Sequence, residues 1–235
     1  MAAACRDAYL EALRRIAAEN IEATVSIKLT QFGLDVSDTE CRRNVLRVVA
    51  AAAAAGNRVE IDMESSDYVD RTLDLVEQLH ASHGNLRAVI QAYLYRSERD
   101  VARLCALGIP VRLCKGAYRE PPERAFPDKR DVDGNYLRLM KRLLDAGVDP
   151  AIASHDEAII AETVRHARER AIAADRFEFQ MLYGIRRDLQ RRLVRQGWRV
   201  RLYVPYGLAW YPYFMRRLAE RPANLMFLLR NLLRA

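Results

Sequence analysis

Tyr213, Arg216, Arg217 and Glu220 fall at i, i+3, i+4 and i+7 of the C-terminal stretch "WYPYFMRRLAERPANLMFLLRNLL", so they share one face of a helix. A helix packed into a core would place leucine or valine on that face. An aromatic ring, two guanidinium groups and a carboxylate stand there instead, so something other than a core lies opposite that face. The doublet alone is weak support. Of the 38 basic residues all but four are arginine, and Arg14-Arg15, Arg42-Arg43, Arg186-Arg187 and Arg191-Arg192 are further doublets. Lysine is the rarer and more telling cation.

Lys28 in "VSIKLT" alternates with Ile27 and Leu29. In a strand covered on both faces, such a lysine must line a pocket or pair with an acid. Asp62 in "VEIDMES" is the natural acid; Ser65, Ser66 and Asp67 compete for the role of capping the next helix and leave Asp62 to the pocket. "VRLCKGAYREP" contributes Arg112, Lys115, Gly116 and Tyr118, and its glycine reads either as a plain turn or as a place where backbone approaches a ligand. His155 in "IASHDE" precedes acids that suit a helix start, and a lone histidine there reads as structural or as a neutral hydrogen-bonding partner. Glu178, Gln180, Leu182 and Tyr183 come from "EFQMLYGI", and Tyr203 and Tyr206 from "LYVPYG". The set is rich in Arg, Lys and Tyr. It holds neither a nucleophile elbow, nor the paired acids of a glycosidase, nor a metal-ligand cluster. It suits an anionic ligand with a planar portion, and an organic cofactor would account for the lack of a nucleophile.

The elements that must position these residues repeat one unit. Helical segments end at a glycine, and a short apolar, β-branched run follows, as in "VVAAAAAAGNRVEIDM", "LCALGIPVRLCK" and "LLDAGVDPAIASH". The glycine fits the left-handed position after a helix, and the run fits a buried parallel strand. Seven strands are predicted, at 25–29, 59–63, 88–92, 111–115, 150–154, 177–181 and 199–204. An open doubly wound sheet would announce a nucleotide site by a glycine-rich loop, which is lacking. A (β/α)₈ TIM-type barrel places polar residues at the C-terminal ends of many strands, as Lys28, Asp62, Gln91, Arg112, Lys115, His155, Gln180 and Tyr203 are placed here. The fold expectation is therefore an α/β barrel, a single domain over 1–235.

The 235 residues suit one such domain, and a 51% hydrophobic, 29% charged composition is that of a soluble globular chain. The net charge of +7 is spread along the chain, which argues against nucleic acid. Cys5, Cys41, Cys105 and Cys114 lack metal-ligand spacing and read as free thiols of a reducing cytoplasm.

Taken in order, "SIKLTQFGL", "IDMESSDYVD", "VIQAYLYRS", "VRLCKGAYREP", "IASHD", "FEFQMLYGI" and "RLYVPYGLAWYPYFMRRLAERPAN" resemble the successive strand-end motifs of proline dehydrogenase, the monofunctional bacterial type above all. The resemblance runs from about Val25 to Asn224. It implies a (β/α)₈ barrel whose C-terminal mouth holds FAD under an extra final helix. It also implies oxidation of L-proline to Δ1-pyrroline-5-carboxylate by hydride transfer to the flavin N5, with a quinone as acceptor. By motif, Lys28, Arg216 and Arg217 would grip the proline carboxylate, Asp62 would belong to the substrate site and Arg112 would sit by the flavin N5. Met63, through its backbone, and Gln91, Lys115, Gly116, Ala117, Ser154 and His155 would hold FAD. Tyr118, Leu182, Tyr203 and Tyr213 would wall the proline ring, and Glu220 would orient the arginine pair.

Two departures accompany the resemblance. The family has one more strand and helix before "VSIKLT", where this sequence offers only "CRDAYLEALRRIAAEN". A distorted or incomplete seven-stranded wall is thus expected, unless the true start lies upstream or a partner chain fills the gap. Ser154 and Asp156 also replace the usual Thr and Asn around His155. The competing reading is a non-catalytic barrel remnant with weak or no flavin binding, against which stands the presence of all the motifs. A cytoplasmic location is expected. Peripheral contact with the inner membrane would fit a quinone acceptor and the apolar tail "LMFLLRNLLRA", although packing of that tail on the barrel is the stronger reading.

Overall fold

A computed structural model describes residues 1–207, in two compact units, one ending at Ala151 and the other beginning at Ile152. The stripe of Tyr213, Arg216, Arg217 and Glu220 lies outside the described residues.

In the first unit, α1 (Ala2–Ala18) leads into β1 (Val25–Ile27), a 3₁₀ turn at Leu29–Phe32 and α2 (Asp38–Ala54). There follow β2 (Val59–Ile61), a 3₁₀ turn at Ser66–Tyr68, α3 (Val69–His83), β3 (Leu86–Gln91), α4 (Ser97–Ala106), β4 (Val111–Cys114) and α5 (Lys129–Ala146). β5 (Ala151–Ala153) begins at the last residue of this unit. The second unit continues with α6 (Glu157–Glu169), β6 (Glu178–Leu182), α7 (Arg187–Arg195) and β7 (Val200–Tyr203). The seven strands lie within two residues of their expected bounds, and the architecture is the expected alternating α/β one.

Parallel ladders join β1 to β2, β2 to β3 and β3 to β4, with Ser26 opposite Glu60, Glu60 opposite Arg87 and Val89 opposite Arg112. Side chains alternate between faces along a strand, so the register sorts them. Ile27, Ile61, Ala88, Ile90, Val111 and Leu113 point one way and are buried. α2, α3, α4 and α5 pack on these strands through stripes such as Val45, Val48, Val49 and Ala52 or Tyr136, Leu139, Met140 and Leu143. Each such fully buried aliphatic side chain contributes roughly 1.5–3 kcal/mol. The opposite face carries Ser26, Lys28, Glu60, Asp62, Arg87, Gln91 and Arg112. α1 packs on α2, and its Tyr9 hydroxyl donates to the Ser26 carbonyl at 2.8 Å.

In the second unit β6 and β7 pair in parallel, Gln180 opposite Arg201 and Leu182 opposite Tyr203. Phe177, Phe179 and Trp198 pack ring on ring, Phe177 standing 5.4 Å from Phe179 and 5.3 Å from Trp198.

The helix–glycine–strand reading holds at Gly84, which ends α3 in the left-handed conformation at φ 68°. It fails at Gly147, which is extended at φ −83°; the left-handed residue there is Asp149, at φ 39°. Gly147 is needed for space, since a Cβ would stand 2.6 Å from the Leu143 carbonyl oxygen. None of Ser65, Ser66 and Asp67 caps α3 with its side chain; the N-cap is Tyr68. Ser66 binds Glu120 instead, through its N–H at 2.7 Å and its hydroxyl at 2.5 Å. Among the described residues no helix is long and apolar enough to cross a membrane.

Candidate active site

β1 and β2 end where the backbone turns, and Lys28 and Asp62 stand one residue beyond those ends on the polar face. Their proximity is set by the ladder, which continues one step as Asp62 N–H donates to the Ile27 carbonyl at 2.8 Å. Lys28 Nζ lies 2.9 Å from Asp62 Oδ2, and the Ser26 hydroxyl donates to Asp62 Oδ1 at 2.7 Å. Arg112 Nη2, from β4, donates to the same Oδ1. The acid partner expected for Lys28 is thus Asp62, and the structure joins Lys28, Asp62 and Arg112 in one cluster.

Asp62 and Arg112 are each 7% exposed. Burial alone would push the Asp62 carboxyl up, but the charges of Arg112 and Lys28, with the hydrogen bonds of Ser26 and Lys28, outweigh it and bring it down to about 2. Burial pulls the Lys28 ammonium down, and Asp62 with its other neighbours more than reverses this, leaving it raised. Both groups are therefore charged across the neutral range. Cys114 shares the polar face, and burial pushes its thiol up to about 11, which keeps it protonated despite Arg112.

Behind this cluster lies a second layer that reasoning from strand ends missed. Glu60 Oε2 accepts from Arg112 Nη1 at 2.6 Å and Oε1 from Arg87 Nη1 at 2.8 Å. Arg87 Nη2 reaches the Asp149 carboxylate at 2.8 Å and its carbonyl at 3.1 Å, and Arg58 meets the same carboxylate at 2.6 Å. The signal for it was present: Glu60 and Asp62 alternate in a strand expected to be covered on both faces, which demands cations opposite both.

Around the other strand ends, Gln91 donates to the Glu64 carbonyl at 2.9 Å, and the Glu64 carboxylate accepts from the Thr30 N–H at 3.0 Å and hydroxyl at 2.7 Å. The ends of the first three strands are tied together in this way. Met63, next to Asp62, is buried. Lys115 pairs with Asp133 of α5 at 2.5 Å. Gly116 takes φ 116°, and a Cβ on it would stand 2.3 Å from the Tyr93 ring. At this glycine the backbone is approached closely by that aromatic ring. Ala117 is exposed and Tyr118 half-buried in the loop that follows.

In the second unit Ser154 is buried, and its hydroxyl accepts from the Asp156 N–H at 3.0 Å. Asp156 caps α6, accepting from the Ala158 N–H at 3.1 Å, as the acids after His155 led one to expect. His155 Nε2 accepts from the Leu182 N–H at 2.8 Å, which requires a neutral ring. Burial, and then the charge of Arg186, pull its pKa down to about 4. Leu182 is exposed, and Tyr203, half-buried, faces it across the ladder. Gln180 donates to Glu178 at 2.8 Å, and Arg201 Nε lies 3.1 Å from both Glu178 oxygens.

The folded pKa of His155 lies below the ordinary value of 6.5. Its contribution to stability is therefore full above pH 6.5 and is lost as pH falls toward 4, by about 3 kcal/mol at most. Unfolding midpoints measured between pH 7 and 4 should fall more steeply for the wild type than for His155→Gln, and parallel curves would contradict the assignment. Among the described residues no group of three or more His, Cys, Asp or Glu is placed to hold a metal ion.

The sequence model of the family described as proline dehydrogenase matches residues 1–230. Proline dehydrogenase 1 of Bacillus subtilis is 42% identical over 224 residues, which cover 95% of this chain and 74% of that protein. The proline dehydrogenase of Deinococcus radiodurans is 43% identical over 97% of this chain and 75% of its own length. Among solved structures, proline utilization A of Bdellovibrio bacteriovorus, inactivated by N-propargylglycine, superposes with a TM-score of 0.83 at 27% identity. That match covers 92% of this chain, which spans 28% of the longer protein.

Proposed function

The chain belongs to the proline dehydrogenase family, and from that premise we propose that it oxidises L-proline to Δ1-pyrroline-5-carboxylate with FAD as cofactor and a quinone as the final acceptor. The observation that carries this reading is the Lys28–Asp62–Arg112 cluster on the polar face of the strands. The donor set suits a flavin: Arg112 is a cation within β4 and Lys115 one just beyond its end, and Ser154 and His155 follow another strand. Met63, Gln91, Gly116 and Ala117 complete the proposed cofactor set. When bound, FAD would supply the hydride acceptor.

The chain's own residues bind and orient. Lys28, held charged by Asp62, takes the proline carboxylate together with Arg216 and Arg217, fixing which carbon is presented. By family resemblance, Tyr118, Leu182, Tyr203 and Tyr213 are assigned to the ring and Glu220 to the arginine pair. A carboxyl brought down to about 2 is too weak a base to take a proton from the proline ammonium, so Asp62 serves as the electrostatic anchor of Lys28 and Arg112. The hydride donor must be the neutral amine, and proline therefore has to lose its ammonium proton to solvent or a buffer base. Arg112 places positive charge where electron density accumulates.

Purified protein is expected to be yellow and to reduce a dye in the presence of proline. Arg216→Met should raise KM for proline about a hundredfold with flavin still bound, since a charge-assisted bidentate contact is lost. An unchanged KM overturns the clamp. A colourless protein inert to proline overturns the function and leaves the remnant reading.

A further inference from the structure

Glu60 sits mid-strand on the polar face, 2% exposed, with each carboxylate oxygen on a different arginine. A buried ion pair of this kind loses hydration that its mutual attraction only partly returns, and an apolar pair of equal volume would hold the fold at least as well. What an apolar pair cannot do is fix a guanidinium. Arg112 is engaged through both terminal nitrogens: Nη1 lies 2.6 Å from Glu60 Oε2, and Nη2 contacts Asp62 and stands 3.3 Å from the Ser26 hydroxyl. Opposed grips on the two Nη groups block rotation about the Nε–Cζ bond. Glu60 is fixed in turn from behind by Arg87, itself 1% exposed and anchored on Asp149 at 2.8 Å.

We propose that Glu60 is a positioning residue: with Asp62 it sets the plane of the Arg112 guanidinium, and the chain Arg87–Asp149–Arg58 keeps Glu60 in place. This inference rests on the reading above in one respect only, that Arg112 serves the oxidation. A guanidinium released from one of its two grips can turn by a large angle, and misplacement of a catalytic group by about 1 Å lowers turnover by up to about a hundredfold.

The test uses the flavin-loaded enzyme with Glu60→Gln, Arg112→Lys and the double variant. For Glu60→Gln, kcat should fall about 10- to 100-fold while KM for proline changes much less, and the flavin midpoint potential should shift. On the Arg112→Lys background the same substitution should add little, because the group it positions is already gone. Nitrogen-15 NMR gives a readout independent of flavin. The Arg112 Nη resonances, assigned by their loss in Arg112→Lys, should be resolved and slowly rotating in the wild type and averaged in Glu60→Gln. Should Glu60→Gln fail to fold, Glu60→Asp, which keeps the charge but retracts it by one methylene, is read in the same way. A lower melting temperature with wild-type kcat, potential and Nη signals would reduce Glu60 to core filling and overturn the proposal. Fully multiplicative losses in the double variant would also overturn it. If the wild type neither binds flavin nor oxidises proline, it is the functional reading that fails, and the Nη signals alone then decide whether Glu60 positions Arg112.

Discussion

Asp62→Ala is expected to lower the stability of the chain by about 3–5 kcal/mol and to abolish proline oxidation. The substitution strips the Lys28 ammonium of its 2.9 Å partner and removes one of the two carboxylates that Arg112 contacts. It also leaves the half-buried Ser26 hydroxyl without the oxygen it donates to. Two like charges then face each other in a site too buried for water to screen them fully. Urea unfolding would give the stability loss, and assays with proline the loss of turnover; a variant within 1 kcal/mol of wild type would refute the argument. Asp62→Asn isolates the electrostatic part. The folded pKa of about 2 lies below the ordinary 3.8, so the stabilisation, about 2 kcal/mol, is full above pH 4 and fades as pH falls toward 2. The gap between wild type and Asp62→Asn should therefore narrow over that interval, and a constant gap would show that the carboxylate's charge is not the cause.

Gly116→Ala should be comparably damaging, at about 3–5 kcal/mol, from two separate sources. At φ 116° a residue with a Cβ is strained wherever it sits, and here the Cβ would lie 2.3–2.6 Å from three atoms of the Tyr93 ring. That ring has little room to retreat. Tyr93 is 6% exposed, its N–H donates to the Lys115 carbonyl at 2.9 Å, and its hydroxyl reaches Glu120 at 3.4 Å. The relief is pairwise: Tyr93→Ala should recover part of the stability of Gly116→Ala, leaving the backbone strain. Melting temperatures of the two single variants and the double variant separate the terms, and strict additivity would contradict the clash.

The strands were legible because each is a short, largely apolar run that follows a helix, and the pairing of Lys28 with Asp62 was legible because a lysine in a covered strand needs an acid. Glu60 and Arg87 were not read as part of the site. Attention to strand ends passes over mid-strand charges, and the partners lie 27 and 52 residues away, at Arg87 and Arg112. Gly147 and Asp149 exchanged roles for a local reason: the backbone packs too tightly on Leu143 for a side chain at 147, and the left-handed turn moves two residues on, where an aspartate tolerates it. Gly116 read either as a plain turn or as an approach to a ligand, and no local pattern names Tyr93, 23 residues earlier, as the neighbour. The helical stripe at Tyr213, Arg216, Arg217 and Glu220 rests on periodicity and family resemblance.

The row of Ser26, Glu60 and Arg87 across three strands also constrains how the chain can misfold. Parallel strands rich in valine and isoleucine pair almost as well when slid by one residue, and such a slip turns every side chain to the opposite face. Here a slip of β2 would thrust Glu60 among the valines and leucines of the helices and leave Arg87 facing hydrocarbon. The charges thus penalise the wrong alignment by far more than they strengthen the right one. Unit 1 should accordingly refold to one register, and a Glu60→Leu/Arg87→Met chain should populate slipped, aggregation-prone forms on the way.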